Sequence, residues 1–326
     1  MTALATPSAP LSVRVAHKSL AAEDICVFEL VAADGSALPP FEAGAHIDVQ
    51  LPDGLTRQYS LCNPPHETHR YQIGVLRDAA SRGGSRALHE RVQVGQALAI
   101  SAPKNHFALA PDARRSLLLA GGIGITPILC MAEALQARGA EFELHYCARS
   151  RGRAAFLDRL AAAPFAARVA THFDDEAAAQ RLDIAALLAA ADEGTHLYVC
   201  GPRGFIDAVL AAARAAGWAE ARLHVEFFTG SVVDGAGDTA FEVELKQSGR
   251  VVIVPAGVSI VQALGRAGIE VMVSCEQGIC GTCLTPVLEG VPDHRDDYLT
   301  LEERAASDQM LLCCSRARTP RLVLDR

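Results

Sequence analysis

Ser274-Cys275-Glu276-Gln277-Gly278-Ile279-Cys280-Gly281-Thr282-Cys283 sets three cysteines at the spacing Cys-x4-Cys-x2-Cys, and a further pair stands at Cys313-Cys314. Four thiolates converging on two irons hold a [2Fe–2S] cluster, and this spacing is the plant-type one. Structural zinc sites are built instead from two Cys-x2-Cys knuckles or from cysteine mixed with histidine. The loop therefore reads as an iron–sulfur site, with Gly278 and Gly281 letting the backbone curl so that amides point at the sulfurs. For the fourth ligand Cys313 and Cys314 compete, because neighbours on a strand point opposite ways.

Around this loop the pattern is that of a small α+β unit. FEVELKQ and RVVIVPA make a hairpin about Ser248-Gly249, SIVQALGRAG makes a short helix that Gly268 ends, and LVLD is a final strand. Upstream, TGSVVDGAGDT is small, polar and aperiodic, as a linker is. Between Arg115 and Phe228 short apolar strands alternate with helices: SLLLAGGIG, TPILCMAEALQARG, FELHYCA, AAFLDRLAA, ARVATHF, IAALLAA, THLYVCG, PRGFIDAVLAAARAAG and RLHVEFF. That alternation implies a parallel sheet with crossover helices. From Leu11 to Ser101 the chain is β-rich instead, with LSVRVAH, DICVFELVA, HIDVQL, RQYSL and YQIGVLR separated by turn residues. Many short strands at this spacing predict a closed antiparallel barrel.

The 326 residues suffice for two or three domains, half of them hydrophobic and 21% charged. A formal charge of −8 argues against a nucleic-acid footprint. No apolar run reaches the roughly 18 residues that span a bilayer, and MTALATPSAP lacks the basic and apolar regions of a signal peptide. The expectation is a cytoplasmic protein without a membrane or nucleic-acid partner, whose ten cysteines serve a cofactor or lie as buried thiols.

Two kinds of phosphate-binding signal precede the cysteine loop. Arg57-Gln58-Tyr59-Ser60 lies on a barrel strand, where alternation puts Arg57 and Tyr59 on one face, a guanidinium for a phosphate and a ring for a planar cofactor. Arg82-Gly83-Gly84-Ser85 opens a helix, and free amides at a helix start favour an anion. Together they predict a phosphorylated flavin. In the sheet region, Gly121-Gly122-Ile123-Gly124-Ile125-Thr126-Pro127 joins a strand to a helix that Thr126 can cap, and Cys200-Gly201-Pro202 makes a second such turn with Pro202 at a first helical position. The first departs from G-x-G-x-x-G/A, since Thr126-Pro127 replaces the last glycine. Ligands bind beyond the carboxyl ends of such strands, where both turns lie.

Taken in order, Arg57-x-Tyr59-Ser60, Arg82–Ser85, Gly121–Pro127, Cys200-Gly201-Pro202, Glu226-Phe227-Phe228 and the cysteine loop resemble the phthalate dioxygenase reductase family, within the ferredoxin–NADP reductase superfamily. The likeness runs from about residue 11 to the end. It implies a multidomain chain: an antiparallel β-barrel FMN-binding domain at 1–108, an α/β parallel-sheet NAD(P)-binding domain at 109–228, a linker at 229–240 and an α+β, β-grasp ferredoxin domain at 241–326. By motif, Arg57, Arg82, Gly83, Gly84 and Ser85 would hold the FMN phosphate. Tyr59 and Ser60 would contact the isoalloxazine, with Gly74 and Val75 lining it through their backbone. Gly121, Gly122, Gly124, Thr126, Pro127, Gly201 and Pro202 would form the nicotinamide turns, and Thr126, Cys200, Glu226 and Phe228 the place where nicotinamide meets flavin. Cys313 falls at the fourth ligand position beside Cys275, Cys280 and Cys283.

The resemblance implies hydride transfer from NAD(P)H to FMN, then single electrons through the cluster to a Rieske-type terminal oxygenase. Such chemistry belongs to the cofactors and needs no acid–base triad. Arg149, Arg151 and Arg153 after FELHYCA could grip a 2′-phosphate and favour NADPH, yet an Arg149-Ser150 pair there is compatible in the family with NADH, the expected nucleotide. From residue 230 on, 14 Asp and Glu face 9 Lys and Arg. Glu276, Asp293, Asp296, Asp297, Glu302 and Glu303 flank the cluster loop and would steer a partner with a basic patch.

Overall fold

The computed structural model describes residues 9–52, 54–78, 83–177, 180–230, 235 and 237–326. The chain forms two compact units, Met1–Phe228 and Thr229–Arg326.

In the first unit, six antiparallel strands run in the order β4-β3-β6-β1-β2-β5: β1 (Leu11–Ala22), β2 (Ile25–Ala32), β3 (Ala45–Gln50), β4 (Thr56–Ser60), β5 (Tyr71–Leu76) and β6 (Ala97–Ile100). The short β7 (Lys104–Asn105) adds to β3, and a Leu61–Ile73 bridge joins the outermost strands and closes the barrel. β1 pairs with β6 along one edge and with β2 along the other, the β2 pairing carrying register shifts after Val15 and Leu20. Alternation directs Val13, Val15, Phe28, Leu30, Ile47, Val49 and Ile73 inward. One helix, α1 (Gly84–Arg91), covers an end.

The remainder of this unit is a parallel sheet in the order β10-β9-β8-β11-β12: β8 (Arg115–Gly121), β9 (Glu141–Ala148), β10 (Val169–Phe173), β11 (Thr195–Gly201) and β12 (Leu223–Phe227). Its order reverses between β8 and β11, so the ligand crevice of such sheets falls at their carboxyl ends. Buried on both faces, β8 and β11 read as continuous apolar runs. Leu118, Ala120, Tyr146, Tyr198 and Cys200 pack with α2 (Ile125–Ala137) in a core continuous with the barrel interior. The short α3 (Leu157–Ala162) follows β9. Leu117, Leu119, Leu197 and Val199 pack on the opposite face against α4 (Ile184–Ala189) and α5 (Arg203–Ala215).

Several sequence expectations shift here. Thr126 does not cap α2: the N-cap is Gly124, and the Thr126 hydroxyl, inside the first turn, donates to the Ile123 carbonyl at 3.1 Å. Pro202 is the N-cap of α5 rather than its first helical residue, because its ψ of 145° is extended. The helix expected over AAFLDRLAA starts only at Leu157, since Phe156 takes φ 65°.

The second unit is a mixed sheet, β14-β13-β19-β15-β17, built from β13 (Phe241–Leu245), β14 (Arg250–Val254), β15 (Leu284–Glu289), β17 (Gln309–Leu311) and β19 (Arg321–Leu324), with β16 (Pro292–Asp293) pairing β18 (Arg316–Ala317) apart from it. β13 runs parallel to β19, a pairing that needs a crossover; α6 (Ile260–Arg266) lies in that connection, starting at a Ser259/Gln262 capping box. A second capping box, Thr300/Glu303, starts α7 (Leu301–Ala306). Cys313 and Cys314 lie in the turn after β17 and not on a strand, so strand alternation does not choose between them.

Candidate functional site

β4 carries Arg57, Tyr59 and Ser60, and the structure brings each to a different neighbour. Gly84, at the start of α1, lies under Arg57: a Cβ there would stand 2.6 Å from Arg57 Cγ. Arg57 Nη1 donates to the Thr56 carbonyl at 2.7 Å. Gly83 is the N-cap of α1 and supplies no side-chain cap, and the Ser85 hydroxyl accepts from the Asp78 amide at 3.3 Å. A guanidinium beside an uncapped helix start is a fit for a phosphate. Arg82 lies outside the described residues. Tyr59 packs against the barrel-side core, and burial pushes its phenol well up.

The buried Ser60 hydroxyl donates to Glu226 Oε2 at 3.1 Å. Glu226 on β12 is in register with Cys200 on β11. Burial pushes the Glu226 carboxyl up to about 8 against the opposing pull of the Ser60 hydrogen bond, so it holds a proton at neutral pH. Burial above all pushes the Cys200 thiol far up, and Glu226 once ionised would push it further, so it stays a neutral thiol. This corner is thus uncharged at pH 7, suited to planar neutral rings.

Glycines let the separate elements meet at this corner. A Cβ on Gly74 of β5 would stand 2.8 Å from Thr126 Cγ2, so the barrel touches the first turn of α2 there. A Cβ on Gly124 would stand 2.2 Å from the Cys200 carbonyl oxygen, and one on Gly201 2.9 Å from the Gly121 Cα. The two turns are therefore stacked backbone on backbone, with Pro127 buried in α2 behind them. Gly122 has φ 53° and open space where a side chain would be. The Val75 carbonyl accepts from His89 Nε2 at 2.8 Å. Phe228, the last residue of the unit, is half-buried against the barrel-side core.

Arg149 and Ser150 follow the carboxyl end of β9, and Arg149 is exposed. Of the other two arginines there, Arg153 pairs with Glu23 at 3.3 Å, and Arg151 lies over the Phe173 ring at 4.9 Å. A 730 Å³ cleft in this unit is lined by Arg70, Glu133 and Arg159 and, at its edge, by Arg151; Glu67 and Glu29 pair Arg70, and Glu133 pairs Arg159.

In the second unit the thiols of Cys275, Cys280, Cys283 and Cys313 interact directly. Cys275 bonds with Cys280 and with Cys313, and Cys283 with Cys313. Among the described residues no group of three or more His, Cys, Asp or Glu side chains is arranged to hold a single ion. The contacts run as a chain, Cys280–Cys275–Cys313–Cys283, which gathers the four thiols at one place. The Gln277 amide donates to Cys275 Sγ at 3.3 Å, the Ile279 amide also bonds Cys275, and those of Leu312 and Cys313 bond Cys283. Donors aimed at sulfur favour thiolate. The partner thiols and these amides pull Cys275 strongly down. Cys314 Sγ bonds Cys313, lies against Gly278 of the loop, and stands 3.9 Å from the Leu311 carbonyl and 3.8 Å from the Ser315 hydroxyl.

The segment from Asp293 to Leu299 braces this loop, which a reading of its charges as surface missed. Asp296 is buried, accepts from the amides of Tyr298 and Leu299, and lies against Gly278. The Asp297 amide donates to the Gly278 carbonyl at 2.9 Å, and the Tyr298 ring covers Gly281. Asp293 pairs with Arg295 at 2.7 Å and Arg318 at 3.5 Å. The acidic flank expected from sequence therefore shrinks to Glu276, Asp297, Glu302 and Glu303. The Thr300-x-x-Glu303 capping box was the legible signal for this segment.

Known proteins agree with this anatomy. The family "2Fe-2S iron-sulfur cluster binding domain" matches residues 243–318, and "Dimethylamine monooxygenase subunit DmmA-like, N-terminal domain" matches 100–223. Vanillate O-demethylase oxidoreductase of Pseudomonas putida is 59% identical over 93% of this chain and 96% of its own length. Among solved structures, phthalate dioxygenase reductase, described as a modular structure for electron transfer from pyridine nucleotides to [2Fe–2S], is 38% identical with TM-score 0.75 over 97% of this chain and 98% of that one. An intact type IV self-sufficient cytochrome P450 monooxygenase is 43% identical with TM-score 0.86; it matches 97% of this chain, which spans 41% of its length.

Fold and site thus define an electron-transfer oxidoreductase that joins a flavin-binding barrel, a pyridine-nucleotide sheet and a [2Fe–2S] domain. The chain belongs to the phthalate dioxygenase reductase family. The second unit carries the [2Fe–2S] cluster-binding domain, and the first joins a flavin-binding fold to a pyridine-nucleotide fold. Among the described residues no helix is long and apolar enough to cross a membrane.

Proposed function

We propose that this chain is the cytoplasmic reductase component of a two-component oxygenase or demethylase system, delivering electrons to a separate Rieske-type terminal oxygenase. The observation that carries the site assignment is the corner where Ser60, Gly74, Thr126, Cys200 and Glu226 come together from five strands and helices. When bound, nicotinamide supplies a hydride, FMN splits its two electrons, and the cluster passes them on singly.

The chain's residues do the rest. Arg57 with Gly83, Gly84 and Ser85 binds the flavin phosphate, while Tyr59, Gly74 and Val75 orient its ring. The stacked turns at Gly121, Gly122, Gly124, Gly201 and Pro202 let a nucleotide lie against bare backbone. Thr126, the neutral Cys200 thiol, the proton-holding Glu226 carboxyl and Phe228 bound the nicotinamide place without adding charge. Cys275, Cys280, Cys283 and Cys313 ligate the cluster. NADH is preferred to NADPH because Arg151 and Arg153 are already engaged by Phe173 and Glu23. Exposed Glu276, Glu302 and Glu303 with Asp297 present negative charge to a basic partner surface.

Reconstituted turnover with candidate oxygenases tests the reading. Cys280→Ser should abolish partner-dependent turnover and keep NADH-driven ferricyanide reduction; a variant that still drives the oxygenase refutes the assigned route. Cys313→Ser should lower cluster content where Cys314→Ser does not.

A further inference from the structure

Phe156 stands where local chemistry disfavours it. It is the N-cap of α3, makes no side-chain cap and takes φ 65° and ψ 15°, the left-handed region that a residue with a Cβ rarely adopts. A conformation of this kind persists where surrounding contacts hold it. Here the contact is with β5: a Cβ on Gly74 would stand 3.5 Å from the tip of the Phe156 ring, Cζ, beside Thr126 Cγ2 at 2.8 Å and Ile123 Cδ1 at 3.6 Å. Three side chains from the nucleotide-sheet half of the unit thus enclose the bare Cα of Gly74.

One turn later, Arg159 holds the same strand. Its Nη1 donates to Gln72 Oε1 at 3.3 Å, while Nε and Nη2 donate to the two Glu133 carboxylate oxygens at 2.9 and 2.7 Å, a bidentate pair. Gln72 and Gly74, two apart on β5, lie on one face of the strand. Thr126 and Glu133, seven apart on α2, lie on one face of the helix. Glu29 accepts from Gln72 Nε2 at 3.4 Å, which turns the amide oxygen toward Arg159. Gln72, Glu133, Phe156 and Arg159 all line the 730 Å³ cleft, so they bridge β5, α2 and α3 beside open space. We infer that Phe156 and Arg159 are positioning residues for hydride transfer: they clasp Gln72 and Gly74 against α2, and so set the distance between the Gly74–Val75 backbone that orients the flavin ring and the Thr126 side chain that bounds the nicotinamide place. The step they serve moves one hydrogen with its bonding electron pair from reduced nicotinamide to oxidised flavin, leaving NAD+ and anionic reduced flavin. The inference rests on the roles proposed above for Gly74, Val75 and Thr126.

The test uses the full holoprotein as wild type, Phe156→Asn and Gln72→Leu. Asparagine tolerates the left-handed backbone, so the first change removes the ring without adding strain. The second removes the amide and keeps both the ring and the Arg159–Glu133 pair. Stopped-flow absorbance gives the limiting rate of flavin reduction and its half-saturating NADH concentration, the long-wavelength charge-transfer band reports nicotinamide–flavin overlap, and hydrogen exchange follows the amides of residues 72–76. Phe156→Asn should slow the limiting rate about tenfold or more, as a displacement of about 1 Å does to a positioned reaction, and Gln72→Leu about threefold. In both, half-saturation should stay within about twofold, the charge-transfer band should weaken and exchange in β5 should quicken. Should Phe156→Asn fail to fold, Gln72→Leu decides alone. A limiting rate and charge-transfer band equal to wild type, or a loss confined to NADH affinity, overturns the inference. A wild type whose bound flavin NADH does not reduce overturns the functional reading and the positioning role with it, while the exchange result still shows whether the clasp holds β5.

Discussion

Gly281 offers the sharpest measure of how the cluster loop is held. Its φ is 72°, and a Cβ added there would stand 2.4 Å from Tyr298 Cζ and 2.6 Å from Cε2. Gly281→Ala therefore meets two separate penalties. The left-handed backbone costs about 1–2 kcal/mol for a residue with a Cβ. Overpacking against the ring, which is itself packed in the core of this unit, adds about 1–3 kcal/mol. In a unit of roughly 100 residues, where each kcal/mol moves a melting midpoint by about 4–8 °C, the two together lower it by roughly 8–40 °C. The assay is the thermal loss of the cluster's visible absorbance in the holoprotein. Adding Tyr298→Ala isolates the terms: in that background Gly281→Ala should cost only its backbone share, giving a coupling of about 1–3 kcal/mol. A midpoint for Gly281→Ala within a few degrees of wild type, or an identical loss with and without the ring, refutes the reasoning.

Three further outcomes follow from other contacts. Glu226 takes up its proton below about 8 in the folded chain and near the ordinary carboxylate value when unfolded, so the apoprotein should lose stability as pH rises through that interval; Glu226→Gln should flatten this slope in urea titrations, and an unchanged slope would place the carboxyl in water. Glu23→Ala releases Arg153 from its ion pair, worth about 1 kcal/mol or less at an exposed site, and should raise kcat/KM for NADPH relative to NADH by up to about fivefold; no gain would remove Arg153 from the account of nucleotide choice. Asp238, nearly buried, pairs with Arg295 at 2.7 Å and Arg316 at 3.2 Å, so Asp238→Ala should destabilise the cluster unit by on the order of 2 kcal/mol, between the values for exposed and buried pairs. A urea midpoint unaltered by that change would show the network to be solvated.

Two kinds of information were present in the amino-acid order. Features set by near neighbours were legible: three thiols within nine residues, glycine turns between strand and helix, and the switch from period-two strands to βα alternation. These arise from local dihedral preference and side-chain direction, so short stretches suffice to state them. Even there the boundary residues moved, with Thr126 inside its helix instead of capping it and Pro202 at the cap, because the carbonyl of Ile123 and an extended ψ decided what the residue types left open. What long-range packing decides was not legible. The charges of Asp293 and Asp296 read as a partner-facing flank, yet Arg318 pairs with Asp293, and Gly278 and the Ser315 hydroxyl close over Asp296. Three arginines after β9 read as equal phosphate ligands until Glu23, from the barrel, and Phe173, from β10, engaged two of them. The meeting of Cys313 with Cys275 and Cys283, and of Ser60 with Glu226, joins residues 30 to 166 positions apart. Covalent order alone thus determined which chemistry the cysteine loop can hold; only the tertiary structure decided which distant side chains complete it, since burial and pairing depend on contacts that no local pattern encodes.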